Sequence, residues 1–293
     1  MKKAVTYISL SAIFIFGLVF LINIIEYDQK FSGKDPYDDF LPLNLSIYLD
    51  LSDRLTRNLT TSQAEQDMGI INYAVDSFFD YCIESGIPCN VNRFQVILYP
   101  KPNCQNIVQF ADSLSIDLSK IPKKQKVTEL MNMKTRFQNN LAELYSDATS
   151  DCKSIESDIC GFFSNREVDK LCVRNGYRNA LIILTDGFLS NNIIEQVNAY
   201  SYILPHTLPD PNTSLMTIRK GLSDLKVLMM EINLYDFKQR DQLITTLGNW
   251  FMEMEIRRFD IFDNTMPNMS KRYYIDQFIF EPFYEYLESL YLY

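Results

Sequence analysis

The chain has 293 residues, 47% of them hydrophobic and 22% charged, with a formal net charge of −9 and a pI near 4.8. That size and balance fit one large globular domain or two small ones, and the acidity argues against a general nucleic-acid binder, which would carry a basic face. The one histidine, His206, sits in a proline-bounded loop, and the nine glycines form neither G-x-x-x-x-G-K nor G-x-G-x-x-G, so zinc-protease and phosphate-loop readings fall away.

In chain order, Lys2 and Lys3 precede residues 4–25, which are almost wholly apolar. About 20 apolar residues in a helix span a bilayer core. The run ends in Asn23-Ile24-Ile25-Glu26-Tyr27-Asp28, without the small residues of a cleavage site. It therefore reads as an uncleaved signal anchor. Lysines in front and acids behind put residues 1–3 in the cytoplasm and the body outside it. Residues 26–42 form a polar tether, and a first buried strand begins at Leu43.

Ser62 and Glu65 make a capping box for an amphipathic helix over 62–85, closed by Gly86. Residues 93–99 read as a second strand, stopped by Pro100 and Pro102. Residues 103–121 are ambiguous, with a short helix expected at 107–114. Lys120, Lys123, Lys124 and Lys126 surround Pro122 as the one basic cluster, a solvated loop face by default and a contact for anionic lipid or nucleic acid in the sharper reading. A long helix over 127–148 follows. Residues 149–163 are rich in Ser, Asp and Cys and read as loop, and 164–173 as a short helix. Strands are expected at 180–185, 226–234 and 258–262. Helices are expected at 190–202 and at 240–254, and a short helix or turn at 217–222. Residues 273–293 are dense in aromatic side chains, as a terminal helix or a surface for a partner.

Six cysteines are present, none in C-x-x-C spacing. In an exported body they allow up to three disulfides, with Cys152, Cys160 and Cys172 placed to bridge locally. The alternation of strands and helices predicts an α/β fold, doubly wound around a mostly parallel sheet, behind one N-terminal transmembrane helix.

Two strands end abruptly in polar residues. The run from Leu43 delivers Asp50, Ser52 and Asp53, and the run from Asn179 delivers Thr185 and Asp186. In open α/β sheets ligands bind outside the carboxyl ends of the strands, where strand order reverses. These ends are the candidate site.

Asp50-Leu51-Ser52-Asp53-Arg54 resembles the D-x-S-x-S opening of von Willebrand factor A (VWA) domains, and Leu184-Thr185-Asp186-Gly187 resembles their second acidic motif. The resemblance spans about residues 43–262, leaving 263–293 as an aromatic extension. It implies that the first and fourth strands are neighbours, so that Asp50 and Asp186 meet at one crevice. It also implies a Mg²⁺ or Mn²⁺ site, for which Asp50, Ser52, Asp53, Ser150 and Asp186 are the candidate ligands; Thr128 and Thr149 are alternatives to Ser150. Hard divalent ions take such oxygen donors. Arg54 departs from the pattern: a guanidinium cannot ligate a cation, and pointed inward its charge would replace the metal.

The implied function is a membrane-anchored module that holds a protein partner, with the bilayer engaged through residues 4–25 and no nucleic acid expected. One alternative is a Mg²⁺-dependent hydrolase or phosphotransferase using Asp50. A strand ending in Asp also opens haloacid-dehalogenase enzymes, but Ser52 stands where their general acid would be. The other is a structural subunit of an envelope assembly, docking through its C-terminal aromatic segment.

Overall fold

The computed structural model describes residues 41–51, 63–84, 91–150, 157–187, 220–232 and 237–291. The fold described here lies within Pro42–Tyr293. The expected membrane segment 4–25 and the expected helix at 190–202 lie outside the described residues. Among those described, no helix is long and apolar enough to cross a membrane.

The described strands form a single six-stranded sheet in the order β3-β2-β1-β4-β5-β6. They are β1 (Leu43–Leu49), β2 (Arg93–Ile97), β3 (Ile116–Asp117), β4 (Arg178–Leu184), β5 (Leu225–Ile232) and β6 (Arg258–Asp263). All neighbours are parallel except β3, a two-residue edge strand that runs antiparallel to β2. β1 is buried at every position, and β4 and β5 at all but Arg178 and Lys226. Central strands of a parallel sheet covered on both faces are mostly apolar; the buried polar exceptions on β1 are hydrogen-bonded, Asn44 donating to Asn179 (3.0 Å) and Ser46 accepting from Gln95 (2.7 Å).

The described helices are α1 (Gln63–Glu84), α2 (Gln105–Ser113), α3 (Lys126–Ser150), α4 (Ile159–Ser164), α5 (Glu167–Cys172), α6 (Phe237–Glu253) and α7 (Asn268–Tyr291). The sheet divides two cores. On one face Leu45, Ile47, Phe94 and Ile182 pack with Phe78 of α1, Phe137 of α3 and Ile275 of α7. On the other, Tyr48, Leu181, Ile183 and Val227 pack with Phe162 and Phe163 of α4, Val168 of α5, and Leu247 and Trp250 of α6. The doubly wound arrangement expected from the alternation of elements is the one observed.

Three local differences have physical causes. Residues expected as loop contain α4, because Asp158 accepts a hydrogen bond from the Gly161 backbone N–H (2.7 Å) and starts a turn that buries Phe162 and Phe163. Cys160 and Cys172 do not bridge. Both are free, buried thiols, on α4 and α5, while Cys104 is the described cysteine in a disulfide. The last helix begins at Asn268, five residues before the aromatic run, and its Ile275, Phe278 and Ile279 are buried against α1 and β1 as part of the core.

The amino edge of the sheet is gathered by Asn92. Its side-chain oxygen accepts from Leu43 N–H (2.6 Å), its backbone oxygen from Leu118 N–H (3.0 Å), and its amide donates to Cys82 Sγ (3.5 Å) at the end of α1.

Candidate functional site at the carboxyl rim

β1 and β4 run side by side, with Leu49 opposite Leu184. The ladder continues one step further: Asp50 N–H donates to Leu184 O (3.0 Å), and Thr185 N–H donates to Met230 O of β5 (3.2 Å). Chain order reverses between these strands, since β1 leads outward to β2 while β4 leads to β5 on the other side. This is the switch point where a doubly wound sheet opens a crevice.

The two sequence motifs touch there. Thr185 Oγ1 donates to Asp50 Oδ2 at 2.7 Å, across 135 residues of sequence, and both side chains are buried. Gly187 N–H donates in turn to Thr185 Oγ1 (3.1 Å). The hydroxyl is thus held from one side and aims its proton at the carboxylate. Asp186 follows at the same rim and is 3% exposed.

Gly187 is required by geometry. Its φ is +86°, and a Cβ there would lie 2.6 Å from Leu243 Cδ2 and 3.0 Å from Ile232 Cδ1. Only glycine takes that backbone angle without cost while letting β5 and α6 approach so closely.

Of the expected ligands, Asp50 and Asp186 therefore share one rim. Ser52, Asp53 and Arg54 lie outside the described residues. Ser150 is the last residue of α3, and its side chain is not among those described; Thr128 is exposed at the start of the same helix. Among the described residues no three His, Cys, Asp or Glu side chains gather into one cluster. The described donors at this rim are the carboxylates of Asp50 and Asp186 and the Thr185 hydroxyl.

A second polar system on this rim is not apparent from the sequence motifs. Glu231, one residue beyond Met230, is fully buried and has φ +74°, at a register shift between β5 and β6. The irregularity lets Glu231 reach the α1/α7 face while Ile232 packs in the opposite core. There Lys271 Nζ of α7, itself buried, donates to Glu231 Oε1. Gln63 Nε2, at the start of α1, donates to Glu231 Oε2 and to Asp67 Oδ1, each at 3.2 Å, and Tyr145 OH of α3 donates to Asp67 Oδ2 at 3.0 Å. A charged residue inside the apolar run Val227-Leu228-Met229-Met230-Glu231-Ile232 was the available signal. Lys271 gave none, because nothing local distinguishes it from the exposed charges around it.

The chain matches no family model and no curated protein. A solved structure described as conserved hypothetical protein BatB from Bacteroides thetaiotaomicron aligns over 82% of this chain and 98% of that one, at 13% identity and a TM-score of 0.39. A superposition that loose fixes neither family nor function.

Proposed function

We propose that the chain is a membrane-anchored, VWA-like protein-interaction module whose partner docks at the carboxyl rim of β1 and β4. The observation that carries this reading is the Asp50–Thr185 hydrogen bond, which joins the two family-like motifs at the switch point. A crevice there would be built on rigid central strands. Asp50 and Asp186 would hold a Mg²⁺ or Mn²⁺ ion with Ser52, and with Asp53 or Ser150 as further donors. The ion would supply a positive centre to which a partner carboxylate adds. Thr185, already committed to Asp50 and to Gly187 N–H, would orient Asp50 rather than bind the ion. Residues 4–25 would anchor the body outside the cytoplasm. The disulfide at Cys104 favours that side, since disulfides persist in oxidising compartments.

The test is thermal unfolding of the full chain in mild detergent, with Mg²⁺ or Mn²⁺ against chelator. An ion at about 100 times its Kd adds roughly 2.7 kcal/mol of stability, a rise of several degrees in Tm. Asp50→Asn and Asp186→Asn should each abolish the rise. No rise at millimolar ion would remove the metal from the proposal, leaving the docking role to a pull-down in which Asp186→Ala loses a partner that the parent retains. Removing the chain from Met269 onward is no test of the aromatic segment, because it deletes Lys271 and Ile275 from the interior.

A further inference from the structure

The basic cluster is the one sequence feature that the proposed crevice leaves unused. Three of its four lysines, Lys120, Lys123 and Lys124, are exposed, and Lys126 is buried. The backbone holds them in place through two successive tight turns: Ile121 N–H donates to Leu118 O (3.4 Å) and Gln125 N–H to Pro122 O (2.8 Å). Lys120 makes a surface contact with Asp117 at 3.6 Å, and Asp117 is shared with Arg174 at 3.1 Å. Among the described residues, Lys123 and Lys124 take part in none of the ion pairs seen.

Topology fixes where the cluster sits. β3 runs antiparallel to β2 and ends opposite Arg93, the first residue of β2, so the lysine segment leaves from the amino edge of the sheet. Pro42 leads into β1 at that same edge, and Asn92 ties Leu43, Leu118 and the end of α1 together there. Two exposed apolar side chains sit on helices that start or end at this edge. Val127, in the first turn of α3, is 45% exposed, and Ile83, at the end of α1, is 47% exposed. The proposed crevice is at the opposite, carboxyl end of the strands.

We propose that this amino edge is a second interaction surface that rests on the anionic phospholipid of a bilayer. Ammonium groups meet lipid phosphates while Val127 and Ile83 enter the headgroup boundary, the pairing of basic and apolar side chains that interfacial segments use. Charge complementarity is local. The whole chain carries −9, so it is repelled from an anionic surface except within about one Debye length, roughly 8 Å, of this patch. The proposal takes from the reading of residues 4–25 as an anchor only that a bilayer is near the body; the contact itself rests on the patch. Its consequence is orientation: the carboxyl rim is turned away from the membrane toward a partner.

The experiment uses the full chain in nanodiscs of neutral phosphatidylcholine or of the same lipid with phosphatidylglycerol. Each lysine is followed by acetylation rate and mass spectrometry. Lys120, Lys123 and Lys124 should react about fivefold more slowly in the anionic discs, while Lys170, exposed on α5, changes less than about twofold. About 0.5 M salt should erase the protection. Lys123→Gln/Lys124→Gln, which alters only exposed side chains and should leave Tm unchanged, should lose the protection remaining at Lys120. Equal rates in both discs, or equal protection at Lys170, would overturn the proposal. So would protection by a single-stranded oligonucleotide in the absence of lipid. Retention in neutral discs through a high-salt wash tests the anchor separately: a chain that washes off, yet shows lipid-dependent protection at the three lysines, refutes the anchor and supports the patch.

Discussion

Lys271→Met isolates the energetic weight of the buried pair that fastens α7 to the sheet. The Lys271 and Glu231 side chains are 4% and 0% exposed. Methionine keeps most of the aliphatic volume of lysine and removes the ammonium, so packing changes little. Glu231 is then left in the core with the Gln63 amide at 3.2 Å as its remaining described side-chain donor. Removing one partner of a buried ion pair costs about 3–5 kcal/mol, because the survivor keeps its desolvation penalty without its counter-charge. For a folded body of this size each kcal/mol moves Tm by roughly 2–4 °C, giving an expected fall of roughly 6–20 °C. Glu231→Gln strands the ammonium and should also destabilise. The double variant Lys271→Met/Glu231→Gln leaves no unpaired charge, and an amide at 231 can still accept from Gln63, so it should recover to within about 1.5 kcal/mol of the parent. Thermal unfolding and urea titration of the four proteins measure the cycle. A fall below about 2 °C for Lys271→Met, or a double variant no better than the worse single one, would show that the pair is solvated and contributes little to holding α7.

Three further outcomes follow from the same geometry. Thr185→Val keeps the shape of the side chain but removes both the donor to Asp50 and the acceptor for Gly187 N–H; urea unfolding should register a loss of about 2–4 kcal/mol, and a change under 1 kcal/mol would mean that water replaces the hydroxyl. Burial pushes the Cys160 and Cys172 thiols up to about 12, so a maleimide at neutral pH should label neither until the protein is unfolded, and native labelling would place them nearer the surface. Burial alone would raise the Asp117 carboxyl, but hydrogen bonds from Ser119 and Arg174 and the Arg174 charge outweigh it and hold the group below its ordinary 3.8. Its contribution, about 1 kcal/mol at this partly buried site, is thus present above about pH 4 and lost as pH falls through the lowered value. The stability gap between parent and Asp117→Asn should close over that range, and a gap that widens on acidification would reverse the sign of the argument.

The fold was legible where burial dictates sequence. β1, β4 and β5 are mostly apolar because helices cover both faces, and their starts were read to within two residues for that reason. The rim was legible because those runs stop in Asp50 and in Thr185-Asp186, and a buried ribbon that ends in carboxylates signals the edge of the core. The elements that escaped are those whose identity depends on distant partners. α4 looks like loop because its Ser, Asp and Cys neighbours dominate the local composition, yet two phenylalanines and an Asp158 cap decide it. Cys160 and Cys172 look like disulfide partners by proximity in sequence, but both are buried free thiols, and Cys172 packs in the apolar core as any small hydrophobe would.

The Glu231 system shows the limit most sharply. An isolated acid in an apolar strand can mark a strand end, an edge or a buried partner, and only the register shift at Met229/Ile232 selects among them. That shift turns Glu231 toward α1 and α7, at a backbone angle that disfavours any side chain. Such a conformation persists when surrounding contacts over-determine it. Here they are the Lys271 ammonium and the Gln63 amide, contributed by helices 208 residues apart in numbering, from positions 63 and 271. A pattern spread over that separation leaves no local periodicity to read. It joins the buried Ile275 and Ile279 and the Ser77–Asp276 hydrogen bond in holding the C-terminal helix to the domain, one residue along β5 from the carbonyl that pairs with Thr185.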